Sequence, residues 1–307
     1  MSFIVSTSPH IRSKVNTASI MRDVVIALMH ALIASVIIFG FRALLVTAVS
    51  VIAAVLTEFL FEKGCKRPVT ISDWSAVVTG VLLAFNLPVT IPLWQAALGS
   101  IIAILVVKQL FGGIGCNFAN PAIVGRIVLF LSFSKTMTAW QFPDAVSTAT
   151  PLALMGAGRM EELPSLMDMF LGNKGGCLGE VSALALLIGF VYLLARKVIT
   201  WHTPVVFVGT VFILSWILGG DVMYAVNQIL SGGLLLGAIF MATDYVTTPS
   251  TTNGRLIFGL GCGLLTVVIR QWGSYAEGVS FAILFMNILT PYISRWTRTK
   301  PFGGVKA

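Results

Sequence analysis

The chain has 307 residues, of which 57% are hydrophobic and 10% charged. Soluble domains carry about a quarter charged residues, and at about 20 apolar residues per crossing this composition supplies about nine or ten membrane spans, leaving little for a soluble domain. Disordered, collagen-like and disulfide-rich secreted classes fail on the same figures, and the net charge of +8 reads as cytoplasmic loop charge rather than a nucleic-acid footprint.

Residues 1–23 are polar and lack a short apolar core ending in a small-residue cleavage site, so no cleavable signal is expected and the segment is assigned to the cytoplasm. Apolar runs near 24–39, 43–61, 76–87, 93–111 and 119–133 make a first membrane half over 24–133. His30, inside the first run, is expected to pack against another helix. The run 76–87 is short and hemmed in by Asp73 and Pro88. Residues 134–180 are the long hydrophilic connection, with a short helical candidate near 160–171 carrying Glu161, Glu162 and Asp168. Runs near 181–195, 204–218, 222–243, 255–270 and 278–295 make a second half over 181–295, followed by a tail, 296–307. The run 222–243 is interrupted by Ser231-Gly232-Gly233. Short or glycine-broken segments at membrane depth are tolerated only where protein buries them or they line a cavity, so these two runs point towards a site.

If the N-terminus is inside and each run crosses once, Arg42, Lys135, Arg159, Lys174 and Arg270 fall outside. The other 15 of the 20 Lys and Arg fall inside, as the positive-inside rule requires. The expected fold is an all-α polytopic membrane protein of about ten helices, some short or broken, with both termini cytoplasmic and the 134–180 connection outside. Five spans per half would oppose the halves as an inverted repeat. The sequence echo is faint, Pro121…Gly125-Arg126 against Pro249…Gly254-Arg255. Both copies fall on the inner side, so the echo does not support inversion.

The four cysteines, Cys65, Cys116, Cys177 and Cys262, are far apart with no CxxC spacing, which argues against an iron–sulfur cluster or structural zinc held by this chain alone. The Gly112-Gly113-Ile114-Gly115 turn lacks the Lys-Ser/Thr of a phosphate loop, and close backbone approach is its expected use. In the connection, Asp144-Ala145-Val146-Ser147-Thr148-Ala149-Thr150-Pro151 reads either as a turn or helix start or as an exposed hydroxyl segment open to covalent modification. Arg126 and Arg255 each follow a proline and a glycine near the start of a run. A cation there opposes the helix dipole, so a compensating anion is expected: Asp244, a neighbouring subunit, or a bound cofactor or its phosphate. Asp23, Glu58, Asp73 and Asp244 lie near inner span ends, where they serve as salt-bridge anchors or as oxygen ligands and proton carriers for ion coupling.

Several stretches in order extend a resemblance along the whole chain: Ser8-Pro9-His10; Asp73-Trp74-Ser75-Ala76-Val77-Val78-Thr79-Gly80 with Asn86-Leu87-Pro88; and Gly112-Gly113-Ile114-Gly115-Cys116-Asn117-Phe118-Ala119-Asn120-Pro121-Ala122. Further on stand Gly179-Glu180, Phe240-Met241-Ala242-Thr243-Asp244-Tyr245 and Gly273-Ser274-Tyr275-Ala276-Glu277-Gly278. In these the chain resembles the D-type family of the Rnf complex and, more distantly, the B-type chain of the sodium-pumping NADH:quinone oxidoreductase. The resemblance implies a subunit of a plasma-membrane complex, bacterial or archaeal, that couples electron transfer between ferredoxin and NAD to movement of Na⁺ or H⁺. It implies FMN attached by a flavin transferase, through a phosphoester, to Thr150, with Asp144, Ser147 and Thr148 in the attachment segment. Thr148 stands where the family commonly has glycine. A non-covalent riboflavin is a further expectation by analogy with the quinone-reducing relative. Partners would be the A-, B-, C-, E- and G-type subunits, with iron–sulfur centres and the NAD site on those chains. The alternatives are a B-type quinone reductase subunit, and a channel or carrier without redox function, which the broken helices and embedded charges also suit.

Overall fold

The computed structural model describes residues 15–140, 149–273 and 277–299, which are helical with no strand among them. Every apolar run is a helix. α1 (Thr17–Phe39) starts ahead of its run because Asn16 forms a capping box with Ser19, which pairs amides that a helix start otherwise leaves open. Gly40, at φ +72°, leads directly into α2 (Phe41–Gly64). α3 (Ser75–Phe85) is short, and α4 (Leu93–Ile102) continues as a π-helical stretch over Ala103–Gln109. α5 (Pro121–Ser132) has Asn120 as its cap and proline in its first turn, both favoured there.

The connection holds α6 (Ser134–Met137), α7 (Pro151–Gly156), a 3₁₀ turn at Met160–Glu162 and α8 (Leu166–Leu171). The helical candidate at 160–171 is thus two pieces, parted at Pro164. The second half comprises α9 (Ala183–Ala195), α10 (His202–Gly219), α11 (Val222–Leu230) and α12 (Leu234–Leu236), which runs on as a π-helical Gly237–Met241. α13 (Thr252–Trp272) and α14 (Val279–Trp296) complete it. The Ser231-Gly232-Gly233 interruption is a 68° bend, with Gly232 at φ +63°.

α1, α2, α10 and α13 are each long and apolar enough to cross a membrane, and the bent α11–α12 pair makes a fifth candidate. Their exposed faces carry Ile33, Ile37, Leu56, Leu60 and Ile217, a surface that suits lipid and not water. α3 differs. Its 11 residues reach about 16 Å at the helical rise, roughly half the hydrocarbon thickness, so as a helix it does not cross.

Packing repeats between the halves. α2 lies on α3 and α4, and α4 on α5; α10 lies on α11 and α13, and α13 on α14. Between halves, α1 meets α9 and α5 meets α14. Each inter-half contact therefore joins equivalent helices, the pattern a five-plus-five repeat produces, and the third helix is short or broken in both halves. The sequence echo matched α5 with α13, which this packing does not make equivalent.

Gly80 shows how tightly α3 sits on α2: a Cβ there would lie 2.7 Å from Val51 Cα. Small residues permit such backbone approach inside membranes. Gly80→Val should force the helices apart and cost about 1–3 kcal/mol, read as a lower thermal unfolding midpoint in detergent; an unchanged midpoint would contradict this packing.

Candidate functional site

Asn86, at the C-terminal end of α3, and Gly233, at the α11–α12 break, face one buried ion pair. Arg126, midway along α5, donates from Nη2 to Glu277 Oε2 and from Nη1 to Glu277 Oε1 (3.2 Å), Asn86 Oδ1 (3.1 Å) and Ser280 Oγ (2.6 Å). Gly233 N–H donates to Glu277 Oε1 at 3.0 Å, so the N-terminal side of the broken helix meets a carboxylate, as its dipole favours. On the other side of the break Arg270 donates from Nη1 to the Gln228 carbonyl (2.7 Å) and from Nη2 to that of Ser231 (3.2 Å), and Lys174 Nζ to that of Leu230. Both sides of the break are thus compensated by charged side chains.

The chain before α9 folds back beneath α3. Leu178 N–H donates to Leu87 O (3.0 Å) and Gly179 N–H to Phe85 O (2.9 Å), pairing carbonyls that the helix end leaves open. A Cβ on Gly179 would come within 2.2 Å of Phe85, so glycine is required. The fold-back places Cys177 and Glu180 beside the ion pair. Glu180 Oε1 accepts from Cys177 N–H at 2.8 Å, while Oε2 is buried without a partner. Burial, and next the Glu277 carboxylate, push the Glu180 carboxyl up to about 7; it lies in the 173–182 segment, outside the helices.

These groups line one cavity of about 260 Å³ together with Thr150, Trp140, Phe130 and Phe281. That volume is near the low end of the roughly 300–1,000 Å³ of small-molecule sites. Thr150 caps α7, its Oγ1 accepting from Ala153 N–H at 3.3 Å. Thr150 and Arg126, picked out separately in the sequence, therefore share a cavity. Arg126 is not at an inner helix end, and its carboxylate is Glu277, not Asp244. Arg255 pairs with neither, donating to Pro249 O and Thr200 Oγ1. Asp144, Ser147 and Thr148 lie outside the described residues. Glu180 and Glu277 were not singled out individually; the signal was there, since each carboxylate adjoins a glycine immediately ahead of a span.

The remaining candidates lie apart from this cavity. Asp23 pairs with Arg196 and accepts from Tyr192 across the α1–α9 contact. Glu58, fully buried, pairs with Lys108 at 2.7 Å and accepts from Gln109. Lys108 also donates to Ser75 Oγ at 2.6 Å, and Ser75 Oγ in turn donates to Asp73. Asp244 accepts from Thr247, Val246 N–H and Asn117 and has no Lys or Arg partner among the described residues. It lines a second cavity, about 110 Å³, with Lys108, Ser75, Asn117 and Asn120. His30 only turns its ring to Ala27 O. The Gly112–Gly115 turn is built on positive φ at Gly112, Gly113 and Gly115.

The family model described as "NQR2, RnfD, RnfE family" matches residues 4–303. The chain belongs to this family. Its relatives include the D-type chain of the Na⁺-translocating ferredoxin:NAD⁺ oxidoreductase complex of Acetobacterium woodii, 48% identical over all of this chain and 97% of that one. The proton-translocating counterpart of Clostridium ljungdahlii is 42% identical over 98% and 96%. The D-type chain of an ion-translocating oxidoreductase complex of Escherichia coli is 34% identical over 99% of each.

Removing one partner of a buried pair strands the other charge. Arg126→Met should therefore cost about 3–5 kcal/mol, seen as a lower unfolding midpoint, and the Arg126→Met/Glu277→Gln double variant should recover part of the loss. A double variant no better than the single would show that the pair is not the interaction being lost.

Proposed function

We propose that this chain is the D-type membrane component of an ion-translocating ferredoxin:NAD oxidoreductase complex and that it carries FMN through a phosphoester on Thr150. The observation that supports this reading is the cavity itself. Thr150 lines a space that Trp140, Phe130, Phe281 and Arg126 also line. Aromatic walls suit a flat ring, and the Arg126 guanidinium beside them suits its negative charge when reduced. A bound flavin supplies one- and two-electron chemistry that no side chain offers.

The residues of the chain divide the remaining work. Thr150 tethers, the aromatic side chains and Gly232 shape the space, and Arg126 sets its potential while remaining locked to Glu277 and Asn86. Ferredoxin and NAD would be met by partner subunits of the A, B, C, E and G types, and a flavin transferase would load Thr150 on the outer face of the plasma membrane. A non-covalent riboflavin would not fit the second cavity, whose volume of about 110 Å³ is well below the roughly 300–1,000 Å³ of small-molecule sites. For ion coupling, Asp244 is the best placed of the four acidic candidates. Asp23 and Glu58 are held by cations and Asp73 is tied to the Ser75 hydroxyl that Lys108 engages, whereas Asp244 is bound by neutral groups, the setting in which a carboxylate can take up a cation. The relatives named for Na⁺ and for protons match this chain over nearly the same span, so the choice of ion rests on something finer than the fold.

Denaturing gels read for flavin fluorescence test the tether. Protein from a host with the transferase should give a fluorescent band in wild type and none in Thr150→Ala or Thr150→Asn. The asparagine variant matters because it keeps a cap on α7, whereas alanine loses about 1 kcal/mol of capping. Fluorescence surviving in Thr150→Asn would move the acceptor elsewhere, with Thr148 next in line. No band in wild type would favour a solute pathway without redox function.

A further inference from the structure

Glu180 is placed as a structural carboxylate would not be. It is 6% exposed, one oxygen accepts from Cys177 N–H, and the other is buried with nothing bonded to it, on a side chain that lines the Thr150 cavity. An ionised oxygen buried without a partner costs several kcal/mol, and an amide side chain would serve the Cys177 contact equally well. Its neighbour Glu277 is different: Arg126 and Gly233 N–H hold both its oxygens. Two carboxylates whose oxygens approach within 4.8 Å do not both ionise cheaply, and the unpaired one is the one that keeps a proton.

The charges around it come from every side. Arg126 belongs to α5, Arg270 to α13, Lys174 and Cys177 to the 173–182 segment, and Glu277 precedes α14. With Glu180 protonated, three cations face one carboxylate; with Glu180 ionised they face two. The cluster therefore stays net positive in either state and accepts a negative charge in the cavity or on Glu180.

We infer that the Glu180 carboxyl is the proton-exchanging group of the Thr150 cavity, handing its Oε2 proton to the flavin ring on reduction and regaining one from water. The inference rests on the flavin reading above. In the step, the O–H bond at Oε2 breaks and an N–H bond forms on the ring as the ring accepts an electron from a reduced one-electron carrier of the complex. The carboxylate left behind is stabilised by Arg126 and Lys174, whose charges act on it, and is reprotonated from water in the cavity. Glu180 thereby makes electron arrival depend on proton supply.

The test compares the purified complex carrying wild type, Glu180→Gln and Glu180→Asp. In-gel fluorescence reports flavin loading. Infrared spectroscopy follows carboxyl protonation between about pH 6 and 8, a range bracketing a carboxyl held near neutrality, and spectroelectrochemistry follows the flavin midpoint potential over the same range. Glu180→Gln should keep the fluorescent band, lose one titrating carboxyl signal, and show a midpoint potential that falls less steeply with pH than in wild type. Glu180→Asp should retain a titrating carboxyl at a shifted midpoint. Equal slopes in wild type and Glu180→Gln, or an unchanged carboxyl titration in both variants, would overturn the inference. Absence of fluorescence from wild type would instead sink the flavin reading. The infrared titration, repeated on flavin-free Thr150→Asn, still decides whether Glu180 exchanges a proton.

Discussion

The Arg126–Glu277 pair is the contact on which the rest of this architecture depends. A guanidinium halfway along α5 is withdrawn from bulk water, and the desolvation is offset only by a full set of acceptors. Asn86 contributes to that set from the end of α3, and Glu277 and Ser280 from the start of α14. Satisfying Arg126 therefore fixes α5, the end of α3 and the start of α14 relative to one another. Glu277 then has a second duty, since the amide it accepts from belongs to the α11–α12 break.

Two interruptions meet at this point, one in each half. α3 stops short of a full crossing and α11 breaks, and each leaves backbone groups that lipid cannot satisfy. The protein answers with side chains and with the fold-back at Leu178 and Gly179, which takes up the carbonyls of Leu87 and Phe85. The same solution leaves a polar-rimmed cavity in otherwise apolar surroundings. A cavity at corresponding interruptions of two halves is where transport-type folds place their binding sites, and Thr150 lines this one.

Hydropathy made the helix in each of the ten apolar runs legible, because the period and length of an apolar run register directly in sequence. Depth was not. Counting charges assigned Arg126 to an inner end, yet its helix carries it into the Thr150 cavity, and its partner lies 151 positions away. No local pattern encodes such a pairing. Glu180 and Glu277 escaped individual notice because an acidic residue just ahead of a span resembles an interfacial anchor. Only the fold-back under α3 and the bend at Gly232 show that Glu180 is buried and Glu277 half-buried beside it. Asp23 and Glu58 had the opposite history: read as either anchors or ion ligands, they form ion pairs.

An influence between the two cavities needs an element that both touch, and two helices meet that requirement. α5 begins at Asn120 and Pro121 in the wall of the second cavity and reaches the first at Arg126, about 9 Å further along the helical rise. α3 lines the second cavity with Ser75, Val78, Thr79 and Leu82, and Asn86 just past its end holds Arg126. Asn86 and Asn120 both donate to Met241, to its sulfur and its carbonyl respectively, three residues before Asp244. A change of charge beside Arg126 therefore acts on α3 and α5 together, and both bear on the stretch that carries Asp244. Because these helices are close-packed, a displacement at one end is passed on as a shift of the whole element and is not absorbed locally. The two cavities are thus joined by shared helices and differ in their charges, one holding the Arg126–Glu277 pair with Glu180 and the other Lys108 with Asp244.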